Sequence, residues 1–214
     1  MRLDSAFALA MRVRELLAPA CEEIAIVGSI RRGKPEVKDI EILARPAAPQ
    51  PVFGEPASAA NALEALVARL VAYREIARHP EPAKRKDGPR WKTLWLPVER
   101  IAVDLFIADA RGSNWGNQMA IRTGDYEFSR LLVTKRSAGG LMPRGLLHDE
   151  GYLYRLGKVL VPCPTEAAFF AALGIEEVPP PQQRNIRLVK QLRDLLRVEQ
   201  VRQRAASGRR VVNV

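Results

Sequence analysis

Gly28-Ser29-Ile30-Arg31-Arg32-Gly33, followed by Asp39-Ile40-Glu41-Ile42-Leu43, decides the fold of this 214-residue chain. The apolar, β-branched run Glu23-Ile24-Ala25-Ile26-Val27 before it reads as a buried strand stopped at Gly28. Glycine lets an anion approach the backbone, Ser29 adds a hydroxyl, and Arg31 and Arg32 add fixed charge with bidentate reach. By itself this string also fits a solvated surface turn. In Asp39-Ile40-Glu41 the two acids fall on one face of a strand and Ile40 and Ile42 on the other. Their Cα atoms are then roughly 6.5 to 7 Å apart, close enough to share a hard cation without touching. An edge strand with a wet acidic face is the plainer alternative. Arg100-Ile101-Ala102-Val103-Asp104-Leu105-Phe106-Ile107-Ala108 is a further strand with one acid in an apolar run. Such an acid is costly to bury unless it is paired or bound to metal. If the two strands are neighbours, Asp39, Glu41 and Asp104 converge, and a cluster of this kind can hold two Mg²⁺ or Mn²⁺ ions.

These residues resemble the nucleotidyltransferase superfamily, and more closely the family X DNA polymerases. The pattern is a GS-x-RR turn, an acid-x-acid strand, a third acid on a later strand, a Thr-Gly turn and a Phe on a helix. Here Trp115-Gly116 leads to Ile121-Arg122-Thr123-Gly124, with Phe128 following, and Thr165-Glu166, Phe170, Leu173-Gly174, Pro181 and Arg184 resemble the family's closing segment. The resemblance spans about residues 20 to 184. It implies an α+β fold: a nucleotidyltransferase palm of mixed sheet with helices on one face, a small α/β thumb and a basic C-terminal helix. It implies Asp39, Glu41 and Asp104 as metal ligands and catalytic residues, with Asp104 receiving the primer hydroxyl's proton. Gly28, Ser29 and Arg32 would meet the triphosphate with Arg31 in support, and Thr123-Gly124 would pack against the sugar. The implied activity is DNA-directed transfer of a dNTP to a primer 3′-hydroxyl in short-gap repair or replication, releasing pyrophosphate, with primer-template or gapped duplex as partner. RNA is the alternative polymer.

The chain departs from the family pattern in places. Glu41 stands where Asp is usual, and Ile121-Arg122 stands where an aromatic pair is common. Tyr126 and Ser129 occupy positions of polar base contacts, while Val133 takes the place of a minor-groove arginine.

Lys plus Arg number 34 against 24 Asp plus Glu, a net charge of +10 that favours a polyanionic partner. Cys21 and Cys163, the only cysteines, match no zinc spacing and no disulfide framework, so both read as small hydrophobes in a reducing cytoplasm. No apolar run is long enough to span a membrane. The expected organisation is a palm over residues 1–108, a thumb-like part over 109–184 and a basic amphipathic tail over 185–214, acting as a monomer.

Apolar spacing predicts helices over residues 3–18 and 59–74, strands near 91–97 and 101–108, a helix over about 125–136 and a hairpin around Gly157. A Pro/Ala-rich loop is expected at 46–57 and a basic Pro/Gly loop at 79–90. Arg130, Lys135 and Arg136 on the 125–136 helix are candidate nucleic-acid contacts, and Arg187, Lys190, Arg193, Arg197, Arg202, Arg204, Arg209 and Arg210 make the tail basic. Two other functions fit parts of this pattern: a template-independent nucleotidyltransferase for nucleic-acid ends or a small molecule, and a binding module without catalysis.

Overall fold

A computed structural model describes residues 1–47 and 61–208. Most of the Pro/Ala-rich loop, together with Arg209 and Arg210, lies outside the described residues.

The chain opens with α1 (Leu3–Leu17), whose Ala6, Ala10, Val13 and Leu17 are buried at helical spacing, and Pro19 follows its end. Then come β1 (Cys21–Ile26), the single helical turn α2 (Gly28–Arg31), β2 (Asp39–Pro46), α3 (Asn61–Ala72), the short β3 (Ala77–Arg78), β4 (Trp91–Leu96) and β5 (Ile101–Ile107). The strands form one mixed sheet in the order β1-β2-β5-β4-β3, with β2 and β5 parallel and every other pair antiparallel. β2 is therefore interior, not an edge. Ile40, Ile42 and Ala44 of β2 and Val103 and Leu105 of β5 form one buried cluster with α1 and α3. Alternation then puts Asp39, Glu41 and Asp104 on the opposite face. This is the mixed sheet with helices on one face that the sequence pattern predicts.

A second cluster gathers α4 (Trp115–Thr123), α5 (Tyr126–Val133), α6 (Glu166–Ala172), α7 (Ile186–Gly208) and a three-stranded antiparallel sheet of β6 (Leu146–Asp149), β7 (Tyr152–Arg155) and β8 (Val159–Val161). Phe128, Phe169, Phe170 and Leu153 are wholly or almost wholly buried there, and Val189 and Leu196 seat α7 on it. Asp125 caps α5 by accepting from Phe128 N at 2.8 Å, and Thr165 caps α6 by accepting from Ala168 N at 3.1 Å. Gly116 is needed where α4 meets the start of α6, because a Cβ there would lie 1.9 Å from the Thr165 carbonyl oxygen.

The helix expected over 125–136 ends at Val133. Thr134 turns extended, and the chain folds back so that Leu141 N donates to Leu131 O and Met142 N to Thr134 O. Of the three cations placed on that helix, only Arg130 lies on it. Lys135 is exposed beside a 3-10 turn, and Arg136 opens that turn. No described helix is long and apolar enough to cross a membrane.

A set of arginines joins the two clusters. Arg31 grips Glu166 with both terminal nitrogens, at 2.6 and 3.0 Å, and donates to Thr123 Oγ1 at 2.6 Å. Arg184, 1% exposed, donates to Glu166 Oε1, which it shares with Arg31, and to Pro179 O. Arg32 donates to the carbonyls of Thr123 at 2.7 Å and Gly124 at 2.8 Å.

Candidate active site

The carboxylate face is built by strand pairing. The parallel register sets Glu41 beside Asp104 and Asp39 beside Ala102. The neighbouring acids are close enough to oppose the ionisation of Asp39 and Glu41. Burial, then the charge of Asp104, raises the Asp39 pKa, and burial, then Asp39, pushes Glu41 up to about 7. Among the described residues no three carboxylate, imidazole or thiol groups close on a common point as they stand. The reason is visible at Gly28, which has φ +65°. The Glu41 carboxylate is folded over it, so that a Cβ at Gly28 would lie 1.6 Å from Glu41 Oε2. The extra methylene of Glu relative to Asp lets the second acid reach the Gly28 turn.

At that turn, Ser29 Oγ and Arg32 Nε are buried without a hydrogen-bond partner among the described residues. Unpartnered buried donors beside an opened backbone turn suit an oxyanion. Arg31 is otherwise employed, held by Glu166 and Thr123, and acts as support for the turn. Gly28, Ser29, Arg32 and Thr123-Gly124 are thus brought to one place. Phe128 is a fully buried core residue, and Ser129 spends its hydroxyl on Ile121 O, while Tyr126 is 77% exposed.

Three residues that sequence reasoning did not assign complete the face. Asp104 Oδ1 accepts from Thr93 Oγ1 at 2.8 Å and from Trp91 Nε1 at 3.1 Å, and no described hydrogen bond engages Oδ2. The signal was present in the hairpin between β4 and β5. The short connection Pro97–Arg100 fixes a register that pairs Thr93 with Asp104 and Trp91 with Phe106. The third is Arg122, in the aromatic-pair slot. Its guanidinium lies 3.9 Å from the Phe106 ring centre and 5.9 Å from that of Trp91. Burial lowers its pKa, and the charges of Glu41 and Asp104 pull the other way. Arg122 is thus, with Arg32, a nearby cation of an acid-rich face. Together with burial it also pushes His148 of β6 down to about 4.

Both cysteines are free, and burial pushes each thiol up to about 11, which fits inert packing residues.

The raised Glu41 pKa has a measurable consequence. The folded value lies above the ordinary glutamate value of 4.5, so the native state holds a proton that the unfolded chain releases between those pH values. Without metal, stability is expected to fall as pH rises from about 4.5 to 7. Glu41→Gln should remove this slope and add on the order of 3 kcal/mol above pH 7. Urea titrations with a chelator at pH 5 and pH 8 check it; parallel curves for the two proteins refute it.

No family model and no curated protein matches the chain. Among solved structures it is similar to Leishmania infantum polymerase beta. In a ternary P/T complex the TM-score is 0.62 at 20% identity, covering 86% of this chain and 76% of that one. In a ternary gap complex it is 0.62 at 19% identity, covering 86% and 70%. At this identity the likeness speaks to architecture, and the fold of this chain is polymerase beta-like.

Proposed function

We propose that the protein transfers nucleotidyl groups to a polynucleotide 3′-hydroxyl, as a DNA-directed polymerase acting on primer-template or gapped duplex, with two Mg²⁺ or Mn²⁺ ions. One observation carries this reading: acids from two adjacent parallel strands share a face with an anion-ready turn whose buried donors lack partners. The neighbours in fold are ternary polymerase complexes.

The donor set fits divalent metal. It consists of hard oxygens, crowded enough to raise two of their pKa values, on a face where Asp104 keeps Oδ2 free. Asp39, Glu41 and Asp104 would be the ligands, Glu41 swinging off Gly28 to join. When bound, the ions would ease ionisation of the primer hydroxyl and neutralise the departing pyrophosphate. Ser29 and Arg32 would hold the β- and γ-phosphates. Asp104 Oδ2 would take the hydroxyl proton as the 3′-oxygen bonds to the α-phosphorus and the bond to pyrophosphate breaks. Arg130 and Lys135 remain exposed cations suited to backbone phosphates. On this reading residues 1–108 act as palm, 109–184 as thumb and 185–214 as a basic extension.

Trp91 and Thr93 are positioning residues in this scheme. Thr93→Val keeps shape and Trp91→Phe keeps an aromatic ring, and each removes one donor. Each is expected to lower kcat about 10- to 100-fold, the range for partners of metal ligands, with little change in nucleotide KM. A change confined to KM would count against the role.

Extension assays with templated, gapped and single-stranded DNA and with RNA, each with all eight nucleotides and with Mg²⁺ or Mn²⁺, test the proposal. Template-programmed dNTP addition with pyrophosphate release is expected. Untemplated addition or ribonucleotide use would favour the end-modifying alternative. No incorporation together with intact DNA binding would favour a non-catalytic module.

A further inference from the structure

Helix α7 lies beyond the stretch that resembles a known family. It packs on the second cluster through Val189, Leu192 and Leu196. Where it crosses the turn after α5, a cavity of about 260 Å³ is lined by Arg136, Ser137, Gly140, Arg193, Leu196 and Arg197. Three of its lining residues are arginines and none is acidic.

Arg136 sets the chemistry. It is half-buried, with Nε donating to Leu141 O at 3.1 Å and one terminal nitrogen donating to Leu173 O. Its remaining nitrogen has no described protein partner. Burial lowers its pKa, and no acidic neighbour counters that shift. Three other buried or part-buried arginines do have acidic partners. Arg31 and Arg184 share Glu166, and Arg45 meets Glu23 at 2.8 Å. A desolvated cation without a counter-charge is costly, and the two other arginines that line the cavity add positive charge to it. An anion in the cavity relieves all three at once. Guanidinium forks match the paired oxygens of a phosphate, and the Ser137 hydroxyl can donate as well.

We propose that Arg136, Arg193 and Arg197 form a phosphate-binding site, distinct from the carboxylate face, that takes a phosphate group either from a nucleic-acid backbone or free in solution. The site uses none of Asp39, Glu41 or Asp104, so it stands whether or not the chain is a polymerase.

The test is the double variant Arg193→Gln/Arg197→Gln. Arg193 is half-buried and Arg197 exposed, and neither has a described side-chain hydrogen bond, so the fold should persist; Arg136 is kept because it also satisfies two carbonyls. Binding of a fluorescein-labelled duplex is followed by anisotropy across a salt series. If a backbone phosphate occupies the site, the slope of log affinity on log salt should be shallower by about 0.9 in the variant. In parallel, thermal melting is followed with inorganic phosphate against chloride at matched ionic strength. A phosphate-induced rise in wild type that the variant lacks identifies the free ion as an occupant. Either result supports the site. An unchanged slope together with a phosphate response equal in both proteins overturns it. An Asp104→Ala control should keep the wild-type slope, which separates this outcome from any failure of catalysis.

Discussion

Asp104→Ala is expected to lower nucleotide incorporation by on the order of 10³-fold or more while leaving duplex affinity and the melting temperature close to wild type. The size follows from what is removed. Asp104 is the acid on which the face converges, paired with Glu41 across parallel strands and held at one oxygen by Thr93 and Trp91. Loss of one preorganised electrostatic group in a catalytic site typically costs 10²- to 10³-fold in kcat. A residue that also receives a proton should stand at or above that range. The fold should tolerate the change, because Asp104 is only part-buried and its removal relieves repulsion on Asp39. Asp39→Ala should behave alike. Single-turnover extension with pre-bound primer separates chemistry from binding. Wild-type rates in either variant would end the nucleotidyl-transfer reading, whereas a loss that tracks weakened DNA binding would reassign the acids to structure.

Glu166→Ala should cost about 3 to 5 kcal/mol of stability, the range for breaking a buried ion pair from one side. Glu166 stands between Arg31 and the fully buried Arg184, and alanine would leave two guanidiniums facing each other with no counter-charge. Burial opposes the carboxylate, yet hydrogen bonds from both arginines outweigh it and hold the Glu166 pKa below its ordinary value. The sign for pH follows. An acid with a depressed folded pKa contributes stability that is present above the ordinary glutamate range and lost as pH falls through the folded value. The penalty of Glu166→Ala should therefore be largest near neutrality and shrink in acid. Urea unfolding of both proteins at pH 7 and pH 3.5 reads this directly. An equal difference at both pH values would show that packing, not charge, accounts for the loss. Glu166→Gln, which keeps the shape, should fall between the two.

The alternation in Asp39-Ile40-Glu41 made the acid face readable, because a strand has period two and only one face of this one is apolar. The third acid was readable as an anomaly in an apolar run. The pairing that unites them was not, since β2 and β5 are parallel neighbours separated by α3 and the β4 hairpin, and parallel pairing leaves no local turn signal. Helix α5 was drawn too long because Thr134 and Lys135 permit helix. The stop comes from the return through Gly139-Gly140 and the bonds to Leu131 and Thr134 carbonyls. β6 escaped notice because Leu146-Leu147-His148-Asp149 is short and does not alternate. Arg31 and Arg32 showed their charge but not their partners, which lie far along the chain. A cation's role is set by which acceptors tertiary packing brings to it.

That last point bears on how substrate would be felt away from where it lands. A guanidinium has five N–H groups, and one terminal nitrogen of Arg32 already serves the Thr123 and Gly124 carbonyls. Any ligand recruiting that nitrogen must loosen a strap between the two halves of the molecule. A ligand that takes the free Nε instead would leave the strap in place, so one side chain can grip an anion and keep the Thr-Gly bend under tension together.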